Sequence, residues 1–209
     1  GWIGFPSTMP ARDVTVIGSF VTNGYTLTYV VDGEVYKTLV YAYGSAVIAE
    51  PMPTKEGYTF SGWVGLPATM PASDVTVSGT FTINTYRVTF KIGDEVIYSE
   101  ALEYGATIVV PEAPEREGYT FDGWGEVAET VPAHDVTYEG SYSVNSYKLT
   151  YMVDGEKYWE ETVSYGTMLT AIDAPEKEGH TFSGWSEVPE TMPAEDVTVS
   201  GFFTINKYL

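Results

Sequence analysis

Three carboxylates return at a fixed interval of 61 residues: Glu34/Glu95/Glu156, Glu56/Glu117/Glu178 and Asp74/Asp135/Asp196. A recurring acidic set could hold a cation or do acid–base work. Each of these residues, however, adjoins a turn. Glu34 flanks Asp32-Gly33, and Glu56 precedes Gly57, where it can reach back to a backbone N–H. Asp74 follows Met70-Pro71-Ala72, where its side chain can bond local backbone. Backbone capping is therefore expected in preference to ligation. No Asp-x-Asp-x-Asp-Gly loop occurs, so a dedicated calcium site is not expected. The 29 acids supply carboxylate pairs by number alone, but glycoside hydrolysis also requires a cleft. His134 and His180 sit at different points of the repeat, and cysteine is absent, so neither a zinc cluster nor a nucleophilic triad can be assembled. The chain is not expected to be an enzyme, and no metal or cofactor is expected.

Aromatic residues are the better candidates for contact with a ligand. Trp159 is the one tryptophan outside the repeating position, and Lys37 and Tyr98 stand at its place in the other copies. Facing solvent, Tyr98 and Trp159 could stack on sugar rings or anchor a protein partner. Facing inward, each would cover the core beside its own edge strand. Trp2, Trp63, Trp124 and Trp185 recur at the 61-residue interval and are expected to pack in cores or between modules.

The elements that must position these residues follow from the same period, which defines the folding unit. The divisions are a partial repeat at 1–24, copies at 25–85, 86–146 and 147–207, and the start of another at 208–209. In the first copy Tyr25, Leu27, Tyr29 and Val31 alternate with polar residues, as a strand with one buried face does. Asp32-Gly33 is a two-residue hairpin turn leading into a second strand near 34–43, with a bulge expected at 38–39. Pro53-Thr-Lys-Glu-Gly57 reads as one short helical turn. Tyr58–Trp63 is a third strand. Asp74–Ile83 is a fourth, its inward Gly79 making room for a large neighbour such as Trp63. The expected fold class is α+β and strand-dominated: tandem small β-grasp-like modules, strand–strand–helical turn–strand–strand, in an elongated array. With Asn84-Thr85 alone between modules, little swivel is expected. Ten-residue strands would make the array a rod on the order of 100 Å long. Residues 1–24 lack the first hairpin, so they should be poorly ordered, docked on the first full module, or paired with another chain; otherwise the rod is expected to be monomeric.

The net charge of −19 argues against nucleic acid and anionic membranes as partners. The three copies carry −3, −9 and −7, so surface charge drifts while turn residues and inward aromatics persist. No apolar run reaches the ~18 residues of a membrane span. A module of ~60 residues buries only about 60% of the surface of its unfolded chain. The 17 Tyr, 9 Phe and 5 Trp are the compensation for such small cores.

Tyr-Gly before the crossover, Pro-x-x-x-Gly-Tyr-Thr-Phe-x-Gly-Trp and Met-Pro-Ala-x-Asp-Val-Thr-Val-x-Gly-x-Phe, at constant spacing, resemble the Listeria–Bacteroides repeat, the B-repeat type of internalins and other bacterial surface proteins. Val131 in place of Met, Tyr138-Glu139 and His180 are departures from that pattern that look like packing and surface changes. The resemblance covers the whole chain. It implies a β-grasp-like module, an extracellular or cell-surface location, and a spacer that projects an adhesive domain. The alternative is a module that itself binds a host protein or glycan through exposed aromatics.

Overall fold

The structure, a computed structural model, describes residues 1–207; the expected start of a further repeat at 208–209 lies outside them. A short pair, β1 (Trp2–Ile3) and β2 (Ile17–Gly18), comes first. The first copy holds β3 (Gly24–Val31), β4 (Glu34–Ala42), β5 (Tyr58–Phe60), β6 (Val75–Gly79) and β7 (Phe81–Ile83). The second holds β8 (Thr85–Ile92), β9 (Glu95–Glu103), β10 (Tyr119–Gly123) and β11 (Val136–Val144). The third holds β12 (Ser146–Val153), β13 (Glu156–Ser164), β14 (His180–Phe182), β15 (Val197–Gly201) and β16 (Phe203–Ile205).

Each copy pairs its first strand antiparallel with the second and parallel with the start of the fourth, while the third lies antiparallel to the end of the fourth. In the second copy these make one sheet, β10-β11-β8-β9; in the others the fourth strand is interrupted, leaving β4-β3-β6 beside β5-β7, and β13-β12-β15 beside β14-β16. The break coincides with a bond from the distant hairpin turn. Asp32 and Asp154 accept the N–H of Phe81 and Phe203, each at 2.9 Å, and the strand breaks just before each phenylalanine. Gly93 stands at the same place in the second copy, has no carboxylate to offer, and β11 runs through.

The expected α+β class is overturned: the described residues contain no helix, and the fold is all-β. Pro53–Gly57 does not coil. Instead the Tyr58 N–H donates to the Lys55 carbonyl at 3.1 Å, closing a β-turn around Gly57, whose φ is +74°. Five residues cannot nucleate a helix unaided, whereas one turn bond and a glycine suffice for a turn. The hairpin turns of the first and third copies have positive φ at both residues, Asp32-Gly33 and Asp154-Gly155, as a type I′ turn requires, whereas in the second copy only Gly93 does. The bulge lies elsewhere than expected. Tyr29 pairs with Lys37 and Val30 with Val35, so the extra residue is Tyr36 and not 38–39.

Each core is the inward face of the first and fourth strands closed by the Met-Pro loop. In the first copy Leu27, Tyr29, Met70 and Val77 are buried, and in the third Leu149, Tyr151, Met192 and Val199 are. Val131 fills the methionine place in the second copy and is equally buried. The tryptophans pack edge-on to these cores, Trp63 at 4.7 Å from Tyr29 and Trp185 at 4.8 Å from Tyr151. Gly79 does admit an aromatic ring, nearest of all that of Phe60, and in the second copy Gly140 admits both Phe121 and the repeating Trp124.

Among the described residues each sheet keeps to one copy or to residues 1–24, except that the first strand of each copy begins one residue before the bound read from the repeat, at Gly24, Thr85 and Ser146. By contacts the chain forms two compact units, Gly1–Tyr86 with Glu103–Ala106, and Arg87–Leu102 with the residues from Thr107 onward.

Candidate functional site

The positions where one copy hands over to the next carry a set of bonds that repeats from junction to junction. A single residue, Asn84, separates β7 from β8. Its N–H donates to the Gly57 carbonyl at 2.9 Å, and its carbonyl accepts the Tyr104 N–H at 2.9 Å. Its side-chain oxygen accepts the Thr59 hydroxyl at 2.6 Å. Asn145 repeats all three bonds with Gly118, Tyr165 and Thr120, at 2.8, 2.9 and 2.6 Å. Asn84 and Asn145 are thus each held at both backbone groups and at the side chain, leaving none of these polar groups unpaired.

An aromatic ring closes each junction. Tyr104 lies on Gly57 and meets the Tyr58 ring edge-on at 6.3 Å; Tyr165 lies on Gly118 and meets Tyr119 at 5.9 Å. A cation covers the receiving ring, with Lys55 Nζ 3.8 Å and the Arg116 guanidinium 3.9 Å from the ring centres of Tyr58 and Tyr119. At the same repeat position Lys177 stands 5.3 Å from Phe203, beside His180. Matching charged residues by identity misses this position. Matching by charge finds it, because Lys55, Arg116 and Lys177 are three of only ten basic residues in the chain.

The recurring acids divide. Asp74, Asp135 and Asp196 accept the N–H of Thr26, Arg87 and Lys148 at 2.7, 2.8 and 2.8 Å. The bond to local backbone expected of them is thus replaced by one spanning 48 residues, which ties the start of the fourth strand to the first. Glu34, Glu56 and their counterparts are exposed. No group of three or more His, Asp or Glu side chains among the described residues could hold a metal ion.

Tyr98 and Trp159 occupy equivalent edge-strand positions in different copies and do not form one site. Each is partly buried against its own core aromatic, Tyr98 at 6.2 Å from Phe90 and Trp159 at 5.7 Å from Tyr151. The Tyr98 hydroxyl donates to Glu100 at 2.7 Å, and that bond holds its pKa above the ordinary tyrosine value. Lys37 at this position pairs with Glu50 at 2.8 Å. The repeating tryptophans spend their indole N–H on a carbonyl thirteen residues earlier: Trp63 on Glu50, Trp124 on Pro111, Trp185 on Ile172, at 2.9, 2.9 and 3.0 Å.

The sequence pattern of the Listeria-Bacteroides repeat domain matches residues 25–79, 86–145 and 147–200. A protein of Evansella cellulosilytica provisionally named a membrane protein is 28% identical over 93% of this chain and 34% of its own length. A second from that organism, provisionally named a Gly-rich membrane protein, is 29% identical over 94% of this chain and 26% of its own. Internalin H of Listeria monocytogenes is 39% identical over half of this chain and a fifth of its own length. The chain thus spans about a third or less of each of these relatives.

Proposed function

Because the chain belongs to the Listeria-Bacteroides repeat domain family, we propose that it is a non-enzymatic spacer within a bacterial cell-surface protein, holding an adhesive domain away from the envelope. One observation carries this reading: the hand-over residue between copies is a single asparagine bonded through its N–H, its carbonyl and its side chain. A domain that only had to be tethered would need a flexible linker, whereas a spacer needs a junction that resists bending. The drift of charge from −3 to −9 to −7 across the copies fits a surface selected for solubility. The short share of each relative covered by the chain fits a segment of a longer protein.

Small-angle scattering of the 209-residue chain tests the reading. A compact globule of this length has a radius of gyration of about 17 Å. A spacer should exceed that clearly, and Tyr165→Ala should broaden its distance distribution. A value near the globular one would overturn the proposal.

A further inference from the structure

The third copy differs from the first two around its repeating tryptophan. Trp185 borders a shallow cleft of about 690 Å³ lined also by Asp154, Ser183, Ser186, Ser200 and Phe202. In the first copy the matching Val64 and Ser78 bond each other in both directions through backbone, at 2.8 and 3.0 Å. In the third, the Ser186 hydroxyl intercepts the Ser200 N–H at 3.0 Å, so one backbone bond of the pair, at 2.7 Å, remains and the Ser186 carbonyl is released. In the second copy Gly125 and Glu139 stand at these places. Glu139 pairs there with Lys91 at 2.8 Å, and Trp124 is only 7% exposed.

The chemistry facing the cleft is mixed. The Trp185 N–H is already committed to Ile172, so the indole offers its π surface alone. Tyr158, half exposed, leans on the Trp185 ring at 6.1 Å with a tilt of 40° but does not line the cleft, just as Tyr36 leans on Trp63 in the first copy. The Ser183 hydroxyl is used twice, donating to Gly184 and accepting from Phe202. The Ser186 hydroxyl keeps its proton to donate, and the Ser200 hydroxyl is engaged by no described residue. Asp154 bonds Phe203 through one oxygen and turns the other toward Lys177 at 3.7 Å.

An aromatic surface ringed by hydroxyls and a carboxylate suits a pyranose, which has one C–H face and a rim of hydroxyls. A peptide strand would need free ladder groups, but β15 is paired with β12 along one edge and Ser186 takes the Ser200 N–H on the other. The net charge of −7 in this copy repels acidic sugars. From these contacts we propose that the Trp185 cleft of the third copy binds a neutral pyranose saccharide.

Titration of the isotope-labelled full chain with maltose, cellobiose and lactose, followed by amide and indole NMR shifts, tests this. At least one sugar should move the Trp185 indole and Ser200 amide signals. Ser186→Val installs the residue of the first copy and should restore the two-way bridge without loss of fold, which its melting temperature verifies. It should weaken binding about tenfold, the scale of one lost contact, while Trp159→Ala leaves binding unchanged. Overturning results are silence toward all three sugars, equal shifts with glucuronate, or binding unaffected by Ser186→Val. None of these bears on the spacer reading, which the scattering experiment decides independently.

Discussion

The Tyr165 ring lies so close over Gly118 that a Cβ on that glycine would come within 2.2 Å of the ring carbons. Gly179 has nearly the same backbone, φ +72° against +74°, yet among the described residues nothing lies within 4 Å of its virtual Cβ. The pair separates backbone strain from junction contact. Gly179→Ala should cost about 1 kcal/mol for placing a Cβ at positive φ. Gly118→Ala should cost that plus displacement of the ring, about 3 kcal/mol together. Urea unfolding of the two variants measures the difference, and equal losses would show that the ring contact contributes nothing.

Asp196 accepts the Lys148 N–H at 2.8 Å, across the 48 residues that separate the fourth strand from the first. Asp196→Ala leaves that donor to water and removes a charge-assisted bond, so a loss of about 1–2 kcal/mol is expected. Hydrogen exchange at Lys148 should quicken with it. Calcium should leave the melting temperature of both proteins unchanged if these aspartates act as caps; a rise with the wild type alone would assign them to a cation instead.

That 48-residue bond also marks where reading along the chain stops. Strand faces, hairpin turns and the inward glycine follow from alternation and turn chemistry, which are local, and Leu27, Tyr29 and Val77 are buried as the pattern requires. Features set by distant partners do not follow. Asp74 is chemically fit for a local turn bond, and only the parallel pairing of β6 with β3 brings Thr26 to it. Pro53–Gly57 carries the residues that mark both ends of a helix, but the turn bond to Lys55 and the Tyr104 ring on Gly57 fix a tight turn. The break between β6 and β7 was hidden in Asp32, which resembles an ordinary turn residue until Phe81 approaches it. The Trp185 cleft was invisible for a similar reason, since exchanging Val64 for Ser186 looks like surface drift.

Alkaline pH should destabilise the protein. Burial, chiefly, raises the Tyr29 pKa above its ordinary 10.0, and hydrogen bonds to Glu50 and Glu139 raise Lys37 and Lys91 above 10.5. Each of these groups keeps its proton to higher pH when folded than when unfolded. The stability they add is present below the unfolded values and is lost as pH rises through the folded ones. Melting temperature should therefore fall above about pH 10. Tyr29→Phe, which keeps the packed ring and removes the ionisable hydroxyl, should soften that fall. A melting temperature constant from pH 8 to pH 11, values bracketing this onset, would contradict the assignment.

Asn145 provides the sharpest test of a stiff junction. Its backbone bonds to Gly118 and Tyr165 do not depend on the side chain, whereas the 2.6 Å bond from Thr120 does. Asn145→Ser shortens the side chain and breaks that bond while keeping a polar group able to meet water, so the cost should be about 1 kcal/mol. Its dynamic consequence should be larger than its thermodynamic one. With the side chain released, the Tyr165 amide, which donates to the Asn145 carbonyl at 2.9 Å, should exchange several-fold faster, whereas amides in the β12–β15 ladder should not change. Uniform acceleration across that ladder would mean that the substitution loosens the copy as a whole, and that Asn145 is a packing residue with no special role in holding the junction.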